Sequence, residues 1–295
     1  MGSDAHVIVV ARNAPDLLQT ARRRLDELER HWSRFRADSE INKLNAAAGR
    51  PSAVSPDTLV LVVRAVRGWR ASGGLFDPTV HAAMLAHGYD RDLALVRSST
   101  QGQVSARRPS RAPGCGGVEI DLAASTVCLP TGVGLDPGGL GKGLAADLVS
   151  GELRQAGARG VLLNVGGDIR VRGVAPDPEG WPITVEHPWR VGAELFRAAV
   201  RVGAVVTSST LRRRWMSAEG EVHHVLDPRT GLPTRGRIVA ATVFAASAWR
   251  AEVLAKTVLV ADDIAAAHTS DAEVCAVTAD GQRLASPGLR GWAGS

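Results

Sequence analysis

The stretch LDPGGLGKGLAAD, Leu135 to Asp147, sets Gly138, Gly139, Gly141 and Gly143 around one cation, Lys142, at the start of a helical pattern. Leu144, Ala145, Leu148, Val149 and Leu153 recur at helical spacing, and Gly157 is a stop signal. Glycine lets a backbone approach a ligand closely, and a helix N-terminus attracts phosphate through its free N–H groups. An anion or nucleotide cradle is therefore one reading. It is not a P-loop, because Gly143 follows the lysine where Ser or Thr is needed, and it is not the GxGxxG dinucleotide fingerprint. A glycine-rich turn before an ordinary helix accounts for the same residues. The rest of the chain has to decide.

Composition narrows the classes. With 295 residues and 45% hydrophobic content, the chain can bury a full core as one large domain or two lobes. No apolar run approaches the length needed to span a bilayer, which argues against membrane insertion. The first residues carry neither a basic n-region nor a long apolar h-region, and Cys115, Cys128 and Cys275 are scattered without a CxxC, so a cytoplasmic setting is expected. The net charge of +5 is spread as arginine, and only 4% of residues are aromatic, which argues against a nucleic-acid partner. In so arginine-rich a chain, the few lysines stand out.

Outward from the glycine stretch, HVIVVA (6–11) reads as a strand, and Leu18, Ala21, Leu25, Leu28, Trp32 and Phe35 mark one long amphipathic helix. Ser39 begins a short helical turn, and Ser55-Pro56-Asp57 is a helix start with Ser as cap. SGGLFDPTV (72–80) is a loop in which Asp77 beside Phe76 suits a ligand, or makes an Asx turn. Residues 98–117, rich in Ser, Arg, Pro and Gly, read as a flexible surface insertion. Residues 118–129 alternate like a hairpin.

Beyond the glycine stretch, an apolar strand ends in NVGGD (164–168), with Gly166 and Gly167 suggesting a bulge. Strands at 181–186 and 197–206 lead to TSST (207–210), read as a hydroxyl-rich turn, and then to HHVLDPRTGLP (223–233). His224 reads as a core histidine with His223 toward solvent, and DPRTG (227–231) as a tight turn. A strand at 238–246, a helix capped by Ser247 and two short strands close the chain. Strands and helices mix without βαβ alternation, so the fold class is α+β, a mixed, largely antiparallel sheet core with flanking helices.

Taken in order, these landmarks resemble the FAD:protein FMN transferase family, the ApbE-type flavin transferases. The resemblance rests on Ser39-Glu40-Ile41 with Asn45, GLFDPTV (74–80), Asp136 to Asp147, NVGGD, Thr207-Ser208, and His224 to Gly231. It implies an ApbE-like enzyme that moves FMN from FAD, with magnesium, to a Thr or Ser hydroxyl of an acceptor flavoprotein, releasing AMP. Phe35, Leu75, Phe76, Asp77, Asp136, Lys142, Thr207, Ser208 and Leu226 would bind FAD, and Lys142, His224 and Asp227 would serve the chemistry. The same resemblance leaves open an FAD-binding or FAD-hydrolysing homologue that modifies no protein.

The metal site departs from the family pattern. The resemblance implies a metal near Gly139, held by an Asp and a Thr one helical turn apart, whereas this chain has AEVLAK (251–256), with Glu252 and Lys256 in those places. Glu252, longer by one methylene, could still reach a metal, but an ammonium has no lone pair to give one. Lys256 could supply the positive charge itself, the metal could be lost with altered activity, or Thr257 could serve in a register rotated by about 100° around the helix.

Overall fold

The computed structural model describes residues 4–98, 108–190, 192–217, 220–267, 269 and 271–289. The first half contains β1 (Ala5–Val10), α1 (Ala14–Trp32), α2 (Glu40–Ala46), β2 (Ser52–Ala53), α3 (Pro56–Ala71), α4 (His81–Ala86), α5 (Leu93–Ser98), β3 (Glu119–Asp121), β4 (Thr126–Cys128) and α6 (Gly141–Gln155). Then come β5 (Gly160–Val165), β6 (Asp168–Gly173), β7 (Trp181–Glu186), β8 (Glu194–Val200), β9 (Gly203–Ser209), β10 (Arg214–Ser217) and β11 (Gly220–His223). The chain finishes with β12 (Leu226–Asp227), β13 (Leu232–Pro233), β14 (Ile238–Ala245), α7 (Ala248–Ala261), β15 (Ala272–Thr278) and β16 (Arg283–Ala285). Two compact units emerge: Leu28–Gly139 with Arg212–Arg235, and the segments up to Glu27, Leu140–Leu211 and from Gly236 onward.

The second unit holds a seven-stranded sheet in the order β1-β5-β6-β9-β14-β15-β16, every neighbouring pair antiparallel. Helices α6 and α7 pack against each other and against β5, β6, β9 and β14. The β7–β8 ribbon supplies Trp181, Ile183, Val185, Ala198 and Val200 to a cluster with Leu162, Val171, Val205, Phe244 and Cys275 of the sheet. The middle of the sheet is thus covered on both faces. This is why IVAATVFA in β14 is apolar throughout and buried at every position rather than alternating.

Two main-chain devices lock α7 to α6. A Cβ on Gly143 would stand 2.5 Å from the carbonyl oxygen of Ala248, so only glycine permits this approach. Ser247 does occupy the N-cap of α7, but its side chain makes no capping bond. Oδ2 of Asp147, one helix away, accepts the Trp249 N–H at 3.0 Å instead.

The first unit is built of short elements. Ser39 and Ser55 cap α2 and α3 as expected, accepting the N–H groups of Asn42 and Thr58. The β2-β4-β3 sheet packs on α3 around Val62, Val66, Val127 and Leu129. The expected surface insertion lies partly outside the described residues. Its described end is anchored, with Ala112 N–H on the Pro228 carbonyl and Gly114 N–H on Thr79 Oγ1. Helices α4 and α5 and the β10–β11 hairpin carried no sequence signal.

Candidate active site

In the second unit, four charged side chains converge. Lys142 projects from the first turn of α6 and bonds Asp168, the first residue of β6. It also bonds Oε1 of Glu252 at 3.0 Å, and Lys256 Nζ lies 3.3 Å from the same oxygen. Oε2 of Glu252 accepts the Gly143 N–H at 2.9 Å. Glu252 is wholly inaccessible at 0% exposure, while the Lys142 and Lys256 side chains keep 13% and 14%. Burial would raise the Glu252 carboxyl. Lys142, Lys256 and the Gly143 amide outweigh it and hold the group below the ordinary carboxylate range.

The glycine-rich stretch therefore has a packing role at Gly143 and a charge role at Lys142. Gly166 and Gly167 take positive φ and make the tight β5–β6 turn, with Gly167 N–H on the Asn164 side chain, rather than a bulge. That turn delivers Asp168 to the lysine.

This donor set does not fit the magnesium ion that the resemblance implies. Magnesium demands oxygen donors in near-octahedral array. Here both Glu252 oxygens already accept from cations or an amide, and no group of three or more His, Cys, Asp or Glu able to hold a metal occurs among the described residues. Gly139 closes a 3-10 turn, Pro137–Gly139. Thr257 cannot take over, being buried with its hydroxyl on the Val253 carbonyl at 2.9 Å.

Thr207 and Ser208 lie in strand β9, not in a turn. Successive strand residues face opposite ways. Thr207 shares the face of Val205, toward the β7–β8 ribbon, and pairs with Thr242 through a 2.8 Å hydroxyl bond. Ser208 shares the face of Ala204, whose cross-strand partner Arg170 reaches Asp147 of α6 at 2.8 Å. The two hydroxyls thus stand on opposite sides of the sheet, only Ser208 on the side of Lys142.

In the first unit, Asp136 is buried and bonds the Nε of Arg34 at 3.2 Å and the Gly138 N–H at 2.8 Å. Asn45 holds the preceding residue through both the N–H and the carbonyl of Leu135. The Arg34 guanidinium sits 4.3 Å from the ring centres of both Phe35 and Tyr89. Its Nη2 is buried without a hydrogen-bond partner, as is Nδ1 of His81. Phe35 joins the apolar cluster of Tyr89, Trp215 and Leu226. Arg34, Tyr89 and His81 escaped the sequence reading, although Arg34 adjoins Phe35 and Tyr89 is the chain's single tyrosine.

Asp77 forms the Asx turn, accepting the Thr79 N–H and hydroxyl at 2.8 and 2.6 Å, and burial raises its carboxyl above the usual range. Phe76 beside it is buried and Leu75 half-buried. The two histidines exchange the roles expected of them. His223 is buried with Nε2 3.0 Å from the Thr234 carbonyl oxygen, and His224 is half-buried. Asp227 is gripped by Arg229 and closes the DPRTG turn through its own carbonyl. The arginine keeps its carboxyl below the ordinary value.

Sequence comparison matches the ApbE family over residues 1–277. The chain is 28% identical over 244 residues to an FAD:protein FMN transferase of Vibrio cholerae, covering 81% of this chain and 71% of that one. To one of Rhodobacter capsulatus it is 29% identical over 274 residues, covering 90% of this chain, and it spans about half (51%) of that relative's length. Among solved structures, the ApbE protein of Thermotoga maritima superposes with a TM-score of 0.84 at 23% identity, covering 98% of this chain and 94% of that one. The flavin transferase ApbE of Vibrio cholerae gives 0.82 at 24%, covering 99% and 96%. These superpositions bear out the α+β fold with its antiparallel core.

Proposed function

The chain belongs to the ApbE family, and on that premise we propose that it transfers FMN from FAD to a Thr or Ser hydroxyl of an acceptor flavoprotein, with AMP as the leaving group. The hydroxyl oxygen attacks the phosphorus of the FMN half, the pyrophosphate P–O bond to AMP breaks, and the hydroxyl proton passes to a base. Such a displacement needs positioning and positive charge on the phosphate oxygens more than covalent participation.

The observation that carries the reading is Lys142, held at the start of α6 by two buried carboxylates while its own side chain stays 13% exposed. It supplies charge to the pyrophosphate. By resemblance, Phe35, Leu75, Phe76, Asp77, Asp136, Ser208 and Leu226 line FAD and His224 lies near the flavin end or the reacting phosphate, and we assign His224 to receive the proton. Asp227, already paired with Arg229, closes the turn that follows the His224 segment. No helix among the described residues is long and apolar enough to cross a membrane.

Incubation with FAD and a panel of Thr- and Ser-bearing peptides tests this. AMP by chromatography, together with peptide mass increased by one FMN less a water, is the expected result. AMP and FMN with unmodified peptides would mean hydrolysis, and intact FAD would overturn the assignment. The non-transferring alternative is not favoured, since the relatives compared above are transferases by name.

A further inference from the structure

Of the 35 Lys and Arg residues in the chain, only Lys43, Lys142 and Lys256 are lysine. Two of these three meet at one oxygen of one buried carboxylate, at 3.0 and 3.3 Å. A chain that otherwise uses the planar guanidinium uses the compact ammonium twice here. The difference is physical: ammonium is a point charge, closer in shape to a metal ion than the guanidinium fork is.

We propose that Lys256 carries, as a fixed part of the chain, the positive charge a divalent ion would otherwise bring to the pyrophosphate of FAD, so that this protein binds the pyrophosphate without a metal. The inference rests on the FMN-transfer reading and deepens it. Lys256 spends one N–H on Glu252 and has two more for an anion's oxygens. The carboxylates of the cluster are the more deeply buried members, at 2% exposure for Asp168 and 0% for Glu252, against 13% and 14% for the Lys142 and Lys256 side chains. The cluster is neutral in sum, and its two cations are its more accessible members. A divalent ion placed against Glu252 would meet two ammonium groups within a few ångströms, and like charges at that range repel strongly where water is excluded. The i,i+4 spacing on α7 lets one carboxylate orient Lys256 while it also binds Lys142.

The test is calorimetric titration of the purified protein with FAD, and with ADP as the bare pyrophosphate probe, in EDTA and in magnesium. Expected is a Kd that agrees within twofold between the two conditions. Manganese added to the ADP complex should give no heat. Lys256→Thr should bind FAD at least tenfold more weakly in EDTA and regain affinity with magnesium. A tenfold loss of wild-type affinity in EDTA, restored by magnesium while peptides are still flavinylated, would overturn the inference and leave the transfer reading standing. So would a Lys256→Thr protein that binds FAD in EDTA as the wild type does. Absence of FAD binding under both conditions would overturn both. The wild-type arms need no variant to fold.

Discussion

Gly143 faces the backbone of Ala248 so closely that a Cβ there would lie 2.5 Å from the Ala248 carbonyl oxygen and 2.8 Å from the Trp249 nitrogen. Both obstacles are main chain at the start of a helix, and neither can rotate aside. Gly143→Ala should therefore push α6 from α7, costing about 1–3 kcal/mol as overpacking does. It should also weaken FAD binding, because the same displacement stretches the Gly143–Glu252 bond. Thermal unfolding and FAD titration check this, and an unchanged Tm would contradict the close approach.

Removal of Lys142 leaves two carboxylates, Asp168 and Glu252, buried with only Lys256 nearby. Breaking such a buried cluster costs about 3–5 kcal/mol. Lys142→Ala should lose that stability near neutral pH. The sign is fixed by Glu252, whose carboxyl is held below its ordinary value. Its stabilisation is fully present above that ordinary value and fades as pH falls through the lower folded one. The deficit of Lys142→Ala should thus shrink in acid, as denaturation at stepped pH will show.

Arg34 and Asp136 form a pair whose side chains are each 6% exposed, with the guanidinium between two rings. Arg34→Lys keeps the charge but loses the planar face, so it should cost stability where a surface exchange would not. Arg34→Met should cost more, since Asp136 is then left without its cation. A chemical denaturation series with Asp136→Asn orders these effects. If the double variant is no more stable than the sum of the single losses predicts, the pair is not coupled.

His81 and His223 are both held below the ordinary histidine value by burial. Near pH 6.5 and below, the unfolded chain binds more protons than the folded one, so stability rises with pH through that window and levels off above it. The Tm should fall as pH drops from 7.5 to 5.5, and His223→Gln should flatten the slope. An equal slope in that variant would assign the effect elsewhere.

Periodicity and caps read well where one physical signal dominates. The Ser39 and Ser55 caps and the apolar run of β14 fall where expected because local chemistry and burial agree there, whereas in α1 the buried stripe runs through Leu17, Ala21, Leu28 and Trp32, leaving Leu18 exposed and Phe35 beyond the helix end. Which of His223 and His224 is buried is not legible in the sequence, because a one-residue shift in strand phase exchanges the faces and two adjacent histidines offer no hydrophobic contrast to set it. Thr207 and Ser208 looked like a turn because hydroxyl-rich runs mark turns, whereas cross-strand pairing with β14 decides their state. The cap of α7 was beyond sequence reading, since Asp147 lies 102 residues before its partner Trp249. Arg34 was hidden by composition, as one arginine among many.

Asp147 as the cap of α7 has a consequence for how this protein can change. With Trp249 fastened to α6 at one end and Glu252 fastened to Gly143 one turn later, α7 cannot slide or rotate to accommodate a different ligand charge. The scaffold behaves like a typesetter's frame, in which the slots are fixed and only the letters are exchanged. Charge on this face of α7 is therefore rewritten most readily at position 256, whose side chain fastens neither helix. A substitution at 256 alters what the frame holds and leaves the Trp249–Asp147 and Glu252–Gly143 fastenings in place.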